Sequence, residues 1–133
     1  NSPEAEILTG RAIASVDEAM EAGFDLYDLG CASVVVKGGH LEGPSLVNCV
    51  IDPDGNGFEI EGPRLDSTST HGTGCTLASA LATLTAQGFG VVEAVARASD
   101  YVSKAIAAAP GFGHGAGPLN HGFAVRPATD PEE

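Results

Sequence analysis

The stretch Thr70-His71-Gly72-Thr73-Gly74-Cys75 decides the fold that this sequence predicts. Gly72 and Gly74 allow a tight backbone turn without Cβ clashes, and leucines then recur at helical spacing up to Gln87-Gly88. The first amides of a helix have no intrahelical partner, and the helix dipole adds positive potential there. The stretch therefore predicts an anion site built from backbone amides. A glycine turn that only reverses the chain is the alternative.

Cys75 falls in the first turn of this predicted helix. Backbone amides and the helix dipole favour a thiolate at such a position, where it serves as a base or a nucleophile. The alternative is a small buried hydrophobic residue, which is the commonest environment of a free cysteine. The residue pattern alone leaves both interpretations open.

Composition limits the class of protein and its partners. The 133 residues suffice for one domain with a hydrophobic core, and no stretch approaches the roughly 20 apolar residues of a membrane span. Six basic and eighteen acidic residues give a net charge of −12, which argues against nucleic acid or an anionic membrane as a partner. We expect adaptation to concentrated salt, where screening weakens self-repulsion. A mildly acidic mesophilic protein is the alternative.

The cysteines and the first residue of the sequence suggest expectations about the redox environment and the origin of the chain. Cys31, Cys49 and Cys75 are odd in number and irregularly spaced, so they predict neither a disulfide framework nor a metal knuckle. We expect a reducing cytoplasm, and we find no signal peptide. The start at Asn1 rather than at a methionine predicts a fragment or a processed chain.

Capping signals predict helices at the start of the chain. Ser2 is expected to cap a first helix that has Pro3 at its first position and ends at Gly10. Ser15-Val16-Asp17-Glu18 is a capping-box pattern for a second helix, which Gly23 is expected to interrupt. A last helix follows the anion loop, and five residues at 3-4-3-4 spacing predict its core-facing stripe. They are Val92, Val95, Ser99, Val102 and Ile106.

Apolar runs predict the strands. Residues 33–36 form a continuous β-branched run, typical of a strand buried on both faces in a parallel sheet. Residues 46–51 and 58–60 flank a stretch dense in turn residues and predict an antiparallel hairpin. Lys37 follows the buried strand directly, at the edge where open α/β sheets bind ligands. A lysine that only extends its charge into solvent is the alternative.

Four motifs in order resemble the hydroxymethylpyrimidine and phosphomethylpyrimidine kinases of thiamine synthesis, in the ribokinase-like superfamily. They are Asn1-x-x-Glu4, Val36-Lys37-Gly38-Gly39-His40, the 70–75 loop, and the glycine- and histidine-rich segment 114–121. Most of the superfamily has an aspartate at the position of Cys75. The Thr-His-Gly-Thr-Gly-Cys form belongs to the pyrimidine kinases and to closely similar pyridoxal kinases.

The resemblance implies a fold and a domain division. It extends from Asn1 to about His121, and complete kinases of this family are about twice as long, so the chain resembles their C-terminal half. It implies the C-terminal part of a ribokinase-like three-layer α/β sandwich, with a mostly parallel sheet, a β-hairpin and flanking helices. Residues 1–121 are expected to form the nucleotide-binding half, and residues 122–133 a C-terminal tail.

The resemblance also implies ATP-dependent phosphorylation of hydroxymethylpyrimidine or of its monophosphate, with Mg²⁺ as the metal. Cys75 is the expected catalytic base, and the expected anion hole comprises Gly72, Thr73 and Gly74. Asn1, Lys37 and Gly74 are expected at the nucleotide phosphates. A residue near Val50 is expected at the adenosine. Glu4 is expected to hold Mg²⁺ and its waters, a chemistry that suits a carboxylate; the alternative is a residue that only complements the helix N-terminus.

For several other residues, the sequence supports both a functional and a structural role. His40 either approaches a phosphate or makes a structural hydrogen bond in its loop. His114 and His121 either bind a metal or belong to a loop that packs near the nucleotide. Arg64 is either a surface charge or a neighbour of the nucleotide.

The N-terminal half of the family's kinases, which would supply most of the pocket for the acceptor, has no counterpart in this sequence. Three other functions therefore fit the sequence as well. A pyridoxal or pyridoxine kinase would perform the same chemistry on another ring. The second alternative is a non-catalytic nucleotide-binding fragment. The third is a chain that folds only when another polypeptide pairs with an open edge of its sheet. The expected partners are ATP and a small pyrimidine, together with a second copy in a homodimer or the missing N-terminal half.

Overall fold

A computed structural model describes residues 1–125, which form four helices and three strands. Residues 126–133 of the predicted tail lie outside this described part. No helix within residues 1–125 has the length and apolar character needed to cross a membrane. In chain order, the elements are α1 (Ser2–Thr9), α2 (Val16–Asp28), β1 (Val34–Val36), β2 (Ser45–Ile51), β3 (Gly57–Pro63), α3 (Thr73–Ala86) and α4 (Val91–Ala107).

The sheet is antiparallel throughout, with strand order β1-β2-β3. Val35 lies opposite Val50 in the first pair, and Ser45 lies opposite Pro63 in the second. The prediction of a mostly parallel sheet is therefore wrong for the described residues. Only residues 37–44 join β1 to β2, whereas a parallel pair requires a crossover of about a dozen residues or more. The apolar run in β1 indicated burial but carried no information on strand direction.

The predicted hairpin of β2 and β3 is confirmed. Its turn is closed by Asp52, whose Oδ1 accepts hydrogen bonds from the amides of Asp54 and Asn56 at 2.9 and 2.8 Å. The Tyr27 hydroxyl donates to the carbonyl oxygen of Pro53 at 3.0 Å and ties the turn to α2.

The elements form three layers, with the sheet in the middle and helices on both of its faces. Successive residues of β2 point to opposite faces of the sheet and so contact different helices. The Cys49 thiol lies 3.6 Å from the carbonyl oxygen of Val16 in α2. The neighbouring side chain, Asn48, donates from Nδ2 to Oγ of Ser99 in α4 at 3.1 Å. Helix α2 thus covers one face, with α1 packed on α2, and α4 covers the other, with α3 packed on α4. The hydrophobic core between α2 and the sheet includes Ala19, Ala22, Val36 and Ile51.

Helix α2 runs continuously through Gly23, so the prediction of an interruption there is wrong. A Cβ at this position would lie 3.2 Å from Cγ1 of Ile51. The glycine therefore serves the close approach of helix and sheet. The predicted capping box is confirmed in its first half: Oγ of Ser15 accepts from the amide of Glu18 at 3.2 Å. The side chain of Glu18 accepts from the amide of Ala14 at 2.7 Å, one residue before the cap, and not from that of Ser15.

Helix α1 is capped by Asn1 and not by the predicted Ser2, which is buried. The Asn1 side chain accepts from the amide of Glu4 at 3.0 Å, so the Asn-x-x-Glu motif forms a capping box. Gly10 ends the helix, as predicted, with φ of 70°.

The two C-terminal helices bury less of their apolar surface than their sequences predict. In α4 the fully buried residues are Ala94, Val95, Ala98 and Ala105. Of the predicted stripe, Val95 is buried, whereas Val102 and Ile106 are only half-buried beside a groove. The alanines lie against the sheet because small side chains let the helix approach closely. In α3 Thr76 is the one buried residue.

Candidate functional site

A groove of about 590 Å³ runs between the β2–β3 hairpin and the C-terminal helices. Its lining contains a polar set of residues, around the loop after β1 and the start of α3, which we call the polar end, and an apolar set from the hairpin, α3 and α4, which we call the apolar end. The polar end includes Asn1, Lys37, Thr73 and Gly74. The apolar end includes Leu46, Leu65, Leu77, Val102 and Ile106.

The predicted anion loop opens α3 where the sequence placed it. Gly72 caps the helix with φ of 83°, a left-handed conformation that favours glycine, and no side chain caps the helix. The carbonyl oxygen of Gly72 accepts the first helical hydrogen bond from the amide of Thr76 at 2.9 Å. Within residues 1–125, the amides of Gly74 and Cys75 have no acceptor. They are therefore available to an anion at the positive end of the helix dipole.

Lys37 extends from the end of β1 over this helix N-terminus. A Cβ placed on Gly74 would lie 3.0 Å from Nζ of Lys37. The absence of a side chain at Gly74 thus leaves room for the ammonium beside the first turn of α3. The structure brings together two sources of positive potential, a lysine charge and free backbone amides.

Asn48 supports Lys37 from below, and sequence reasoning missed it. Its Oδ1 accepts from the amide of Gly38 at 3.2 Å, and its Nδ2 reaches Ser99 on α4. The side chain is only 3% exposed, and a buried amide is costly unless it is hydrogen-bonded. The available signal was a lone amide inside the otherwise apolar strand 46–51.

Glu4 lies at the edge of the polar end and is largely exposed. Its Oε2 accepts a hydrogen bond from the backbone nitrogen of Asn1 at 2.7 Å, which completes the capping box. Within residues 1–125, no three His, Cys, Asp or Glu side chains gather as a metal site. A single carboxylate still fits Mg²⁺, which proteins often hold through one or two carboxylates together with phosphate and water oxygens.

Cys75 lies in the first turn of α3, as predicted, and is exposed. It borders a second cavity, of about 1040 Å³, together with Gly72, His71, Tyr101 and His121. The anion loop therefore separates two spaces: Thr73 and Gly74 face the groove, and Gly72 and Cys75 face the second cavity. The alternative interpretation of Cys75 as a buried hydrophobic residue is wrong.

The structure does not bring Val50 to the groove. Its side chain is fully buried, and it lies in the middle of the sheet between Val35 and Phe58. The expected adenosine contact therefore cannot be made by Val50 itself. The hairpin borders the groove at its other end, where Leu46 pairs with Gly62. The mapping was wrong because the motif did not specify the register of the hairpin.

The glycine- and histidine-rich segment holds the anion loop in place. Nε2 of His121 lies 2.9 Å from Oγ1 of Thr76, whose single hydroxyl proton is donated to the carbonyl oxygen of Gly72 at 2.8 Å. His121 must therefore donate from a protonated Nε2. Gly117 adds backbone hydrogen bonds to the loop, at His71 and at Thr68.

The remaining histidines lie apart from these contacts. His40 borders the groove and is exposed. His114 is also exposed.

Solved structures define the class of protein to which this fold belongs. The pyridoxal kinase from Staphylococcus aureus in complex with AMP-PCP is similar at a TM-score of 0.87 and 28% identity, over 95% of this chain and 46% of that one. An ADP complex of Bacillus subtilis pyridoxal kinase is similar at a TM-score of 0.84 and 31% identity, over 92% of this chain and 48% of that one. The fold is ribokinase-like.

Sequence comparison then specifies the family. Residues 1–120 match the model of the phosphomethylpyrimidine kinase family, and the chain belongs to this family. The thiamine biosynthesis bifunctional protein ThiED of Geobacter sulfurreducens is 45% identical over 98% of this chain and 26% of that protein. The hydroxymethylpyrimidine/phosphomethylpyrimidine kinase of Bacillus subtilis is 37% identical over 91% of this chain and 45% of that protein. The chain thus spans less than half the length of these relatives.

Proposed function

We propose that this chain is the nucleotide-phosphate half of a kinase of thiamine synthesis. The reaction transfers the γ-phosphoryl group of ATP to hydroxymethylpyrimidine, to its monophosphate, or to both. The observation that carries the proposal is the Lys37 ammonium beside Gly74 at the start of α3. Membership of the family and the names of the relatives support the choice of reaction.

ATP lies along the groove in this proposal. Its phosphates occupy the polar end, where Lys37, Asn1 and the amide of Gly74 are available. The adenosine occupies the apolar end, between Leu46 and the exposed flank of α4. Apolar walls with a few convergent polar groups are typical of cofactor sites. The two similar pyridoxal kinase structures hold ADP and AMP-PCP.

Glu4 is the residue that would hold Mg²⁺, through its carboxylate and bridging waters. The ion, when bound, neutralises phosphate charge. The ammonium of Lys37 also neutralises phosphate charge. The charge of Lys37 also favours an ionised Glu4, because the two side chains attract each other.

Phosphoryl transfer depends mainly on positioning and on charge stabilisation. The free amides of Gly74 and Cys75 form the anion hole in this proposal and face the charge that develops during transfer. Gly72 turns the chain into the helix, and the amide of Thr73, which was also expected in the anion hole, donates to the carbonyl oxygen of Thr70 at 3.4 Å. Cys75 then accepts the proton of the acceptor hydroxyl as a general base. Because Cys75 faces the second cavity, the acceptor approaches from that side of the loop.

The test of this base is Cys75→Ala in an active full-length form, with Cys31→Ala as the matched control. Both thiols are exposed, but Cys31 lies outside both cavities. A general base contributes about 10²–10⁴-fold, so we expect a loss of that order with the hydroxymethyl acceptor. Turnover within about threefold of the control would refute the assignment, since a general base contributes at least about 10²-fold.

A pyridoxal kinase is the second candidate, because the similar solved structures are pyridoxal kinases. Competition between pyridoxal and hydroxymethylpyrimidine in one assay separates the two. A non-catalytic nucleotide-binding fragment is the third, because the chain spans only 45% of the kinase from Bacillus subtilis. It would bind MgATP and remain inactive when the rest of the enzyme is supplied.

The proposed partner is the missing N-terminal half or a second copy in a homodimer. Two surfaces support it: β1 lies at an edge of the three-stranded sheet, and the leucines of α3 are only partly buried. Sedimentation of the isolated chain tests this, and a monodisperse monomer would argue against it. We propose the cytoplasm as the location, in keeping with ATP as the cosubstrate and with three unpaired cysteines.

A further inference from the structure

Arg64 follows β3 directly and binds the loop that joins Lys37 to β2. Its guanidinium donates hydrogen bonds to four carbonyl oxygens of residues 39–45, which we call the 39–45 loop. The distances are 2.9 Å from Nε to Gly43, 2.6 Å from Nη2 to Leu41, 3.1 Å from Nη2 to Ser45 and 3.4 Å from Nη1 to Gly39. The acceptors come from every second residue of the loop, so the backbone winds around the guanidinium.

Three other contacts hold the ends and the middle of this loop. The Leu41 side chain is buried in the hydrophobic core, its amide donates to the carbonyl oxygen of Gly38 at 3.0 Å, and Ser45 pairs with Pro63 at the start of β2. Arginine suits the loop carbonyls because it presents five donors in a rigid planar fork. Lysine is a compact point charge on a flexible stem and does not reproduce that geometry. Between these anchors, the backbone conformation around Gly39 and Gly43 therefore depends on the guanidinium.

The loop bears on the groove in two ways. Gly39 and His40 line it directly, and the start of the loop continues from Lys37 and Gly38. Asn48 fixes Gly38 from below, while Arg64 fixes the next residues from the side. The ammonium of Lys37 is thus held over Gly74 by a segment that is anchored at both of these points.

We propose that Arg64 is a positioning residue for the nucleotide. It holds the 39–45 loop in the conformation that aligns Lys37 with the start of α3, so that the site is organised before the nucleotide arrives. Arg64 also lines the groove, but its guanidinium donates to the four backbone carbonyl oxygens of the loop. The inference rests on the proposed nucleotide site and adds to it a residue that acts through the loop.

The first experiment needs no nucleotide. Backbone ¹⁵N relaxation of the free chain gives order parameters for the exposed residues Gly39, Glu42 and Gly43 in wild type and in Arg64→Ala. We expect them to fall from about 0.85, typical of rigid backbone, to below about 0.6. Arg97→Ala is the matched control, because Arg97 is also exposed, hydrogen-bonds to Glu93 on its own helix and lies over the Phe89 ring, with no bond to the 39–45 loop among the described residues. Unchanged order parameters in Arg64→Ala would overturn the proposal.

The second experiment measures MgATP affinity in the same proteins. If the loop of Arg64→Ala is competent about a tenth of the time, the apparent Kd rises about tenfold. Added guanidinium ion should restore both the order parameters and the affinity, whereas methylammonium should restore neither. Arg97→Ala should bind as wild type does. Arg64→Lys serves if Arg64→Ala fails to fold, and it should resemble the alanine variant in a folded chain.

The outcomes separate this inference from the proposed function. Weaker MgATP binding with unchanged loop order would mean that Arg64 contacts the nucleotide itself, and would overturn its positioning role. Equal binding by wild type and Arg64→Ala, with a mobile loop, would overturn it as well. Failure of the folded wild-type chain to bind MgATP would refute the nucleotide site, and with it any positioning of nucleotide by Arg64.

Discussion

Two neighbouring glycines after β1 offer the sharpest test of the geometry around Lys37. A Cβ on Gly38 would lie 1.9 Å from the carbonyl oxygen of Val47, whereas real Cβ atoms essentially never come within 3.0 Å of another heavy atom. The two atoms must therefore separate by at least 1.1 Å in Gly38→Ala. A Cβ on Gly39 would meet nothing within 4 Å, and Gly39 has no positive φ. Gly39→Ala is thus the matched control.

The magnitude follows from the atoms that clash. Inserting an extra methyl group into a packed site costs about 1–3 kcal/mol, and here the obstacle is backbone of β2, so we expect about 3 kcal/mol. Displacement of Gly38 also weakens its hydrogen bond to Asn48, which adds about 1 kcal/mol. For a chain of 133 residues a loss of about 4 kcal/mol lowers Tm by about 14 °C. The control should stay within about 0.5 kcal/mol of wild type.

Thermal unfolding and urea titration of the three proteins measure this difference, and MgATP binding measures its effect on Lys37. We expect Gly38→Ala to be less stable than Gly39→Ala and to bind MgATP more weakly than wild type. Equal stability of the two variants would refute the close approach of Gly38 to β2, and with it the position assigned to Lys37.

Two further predictions concern side chains away from the groove. Cys31 and Cys75 are exposed and should react with a thiol reagent in the native chain. Burial raises the pKa of Cys49 to about 11 and should protect its thiol. Mass spectrometry of the labelled protein checks this prediction, and early labelling of Cys49 would contradict it. Hydrogen bonds from the Asn56 amide and side chain hold the pKa of Asp52 below its ordinary value of 3.8. The stability that ionised Asp52 confers is therefore complete above that value and is lost as the pH falls through the lowered folded pKa. In urea titrations, the advantage of wild type over Asp52→Asn should be constant near neutral pH and vanish in acid, and a pH-independent advantage would exclude this role.

Features that depend on neighbouring residues were predictable from the sequence. The 52–57 turn carries its own hydrogen-bond donors and acceptors, so the hairpin follows from local chemistry. Gly72 is required where the chain turns into α3 with a positive φ. Because α3 begins at Thr73, Cys75 must lie in its first turn. Because β1 ends at Val36, Lys37 must lie at the end of that strand.

Features that depend on contacts distant in sequence were not predictable. The antiparallel direction of β1 relative to β2 follows from the short connection between them. The apolar pattern of β1 gives no information on this direction. Gly23 looked like a helix break because its reason, contact with Ile51, lies in another element. Arg64 bonds to residues about 20 positions away, and no local signal distinguishes it from a surface charge. Val50 was misplaced because register is a property of the strand pair.

The most direct test of the account is calorimetric titration of MgATP into the chain and into its two lysine variants. The chain has only two lysines, Lys37 and Lys104. Lys104 lies on α4, paired with Asp100 at 2.6 Å and outside the groove. We predict saturable binding by wild type and by Lys104→Ala. Lys37→Ala should bind about 10–100-fold more weakly, because a hydrogen bond to a charged group contributes about 1.5–3 kcal/mol. Equal affinities of Lys37→Ala and Lys104→Ala would contradict the proposed phosphate site.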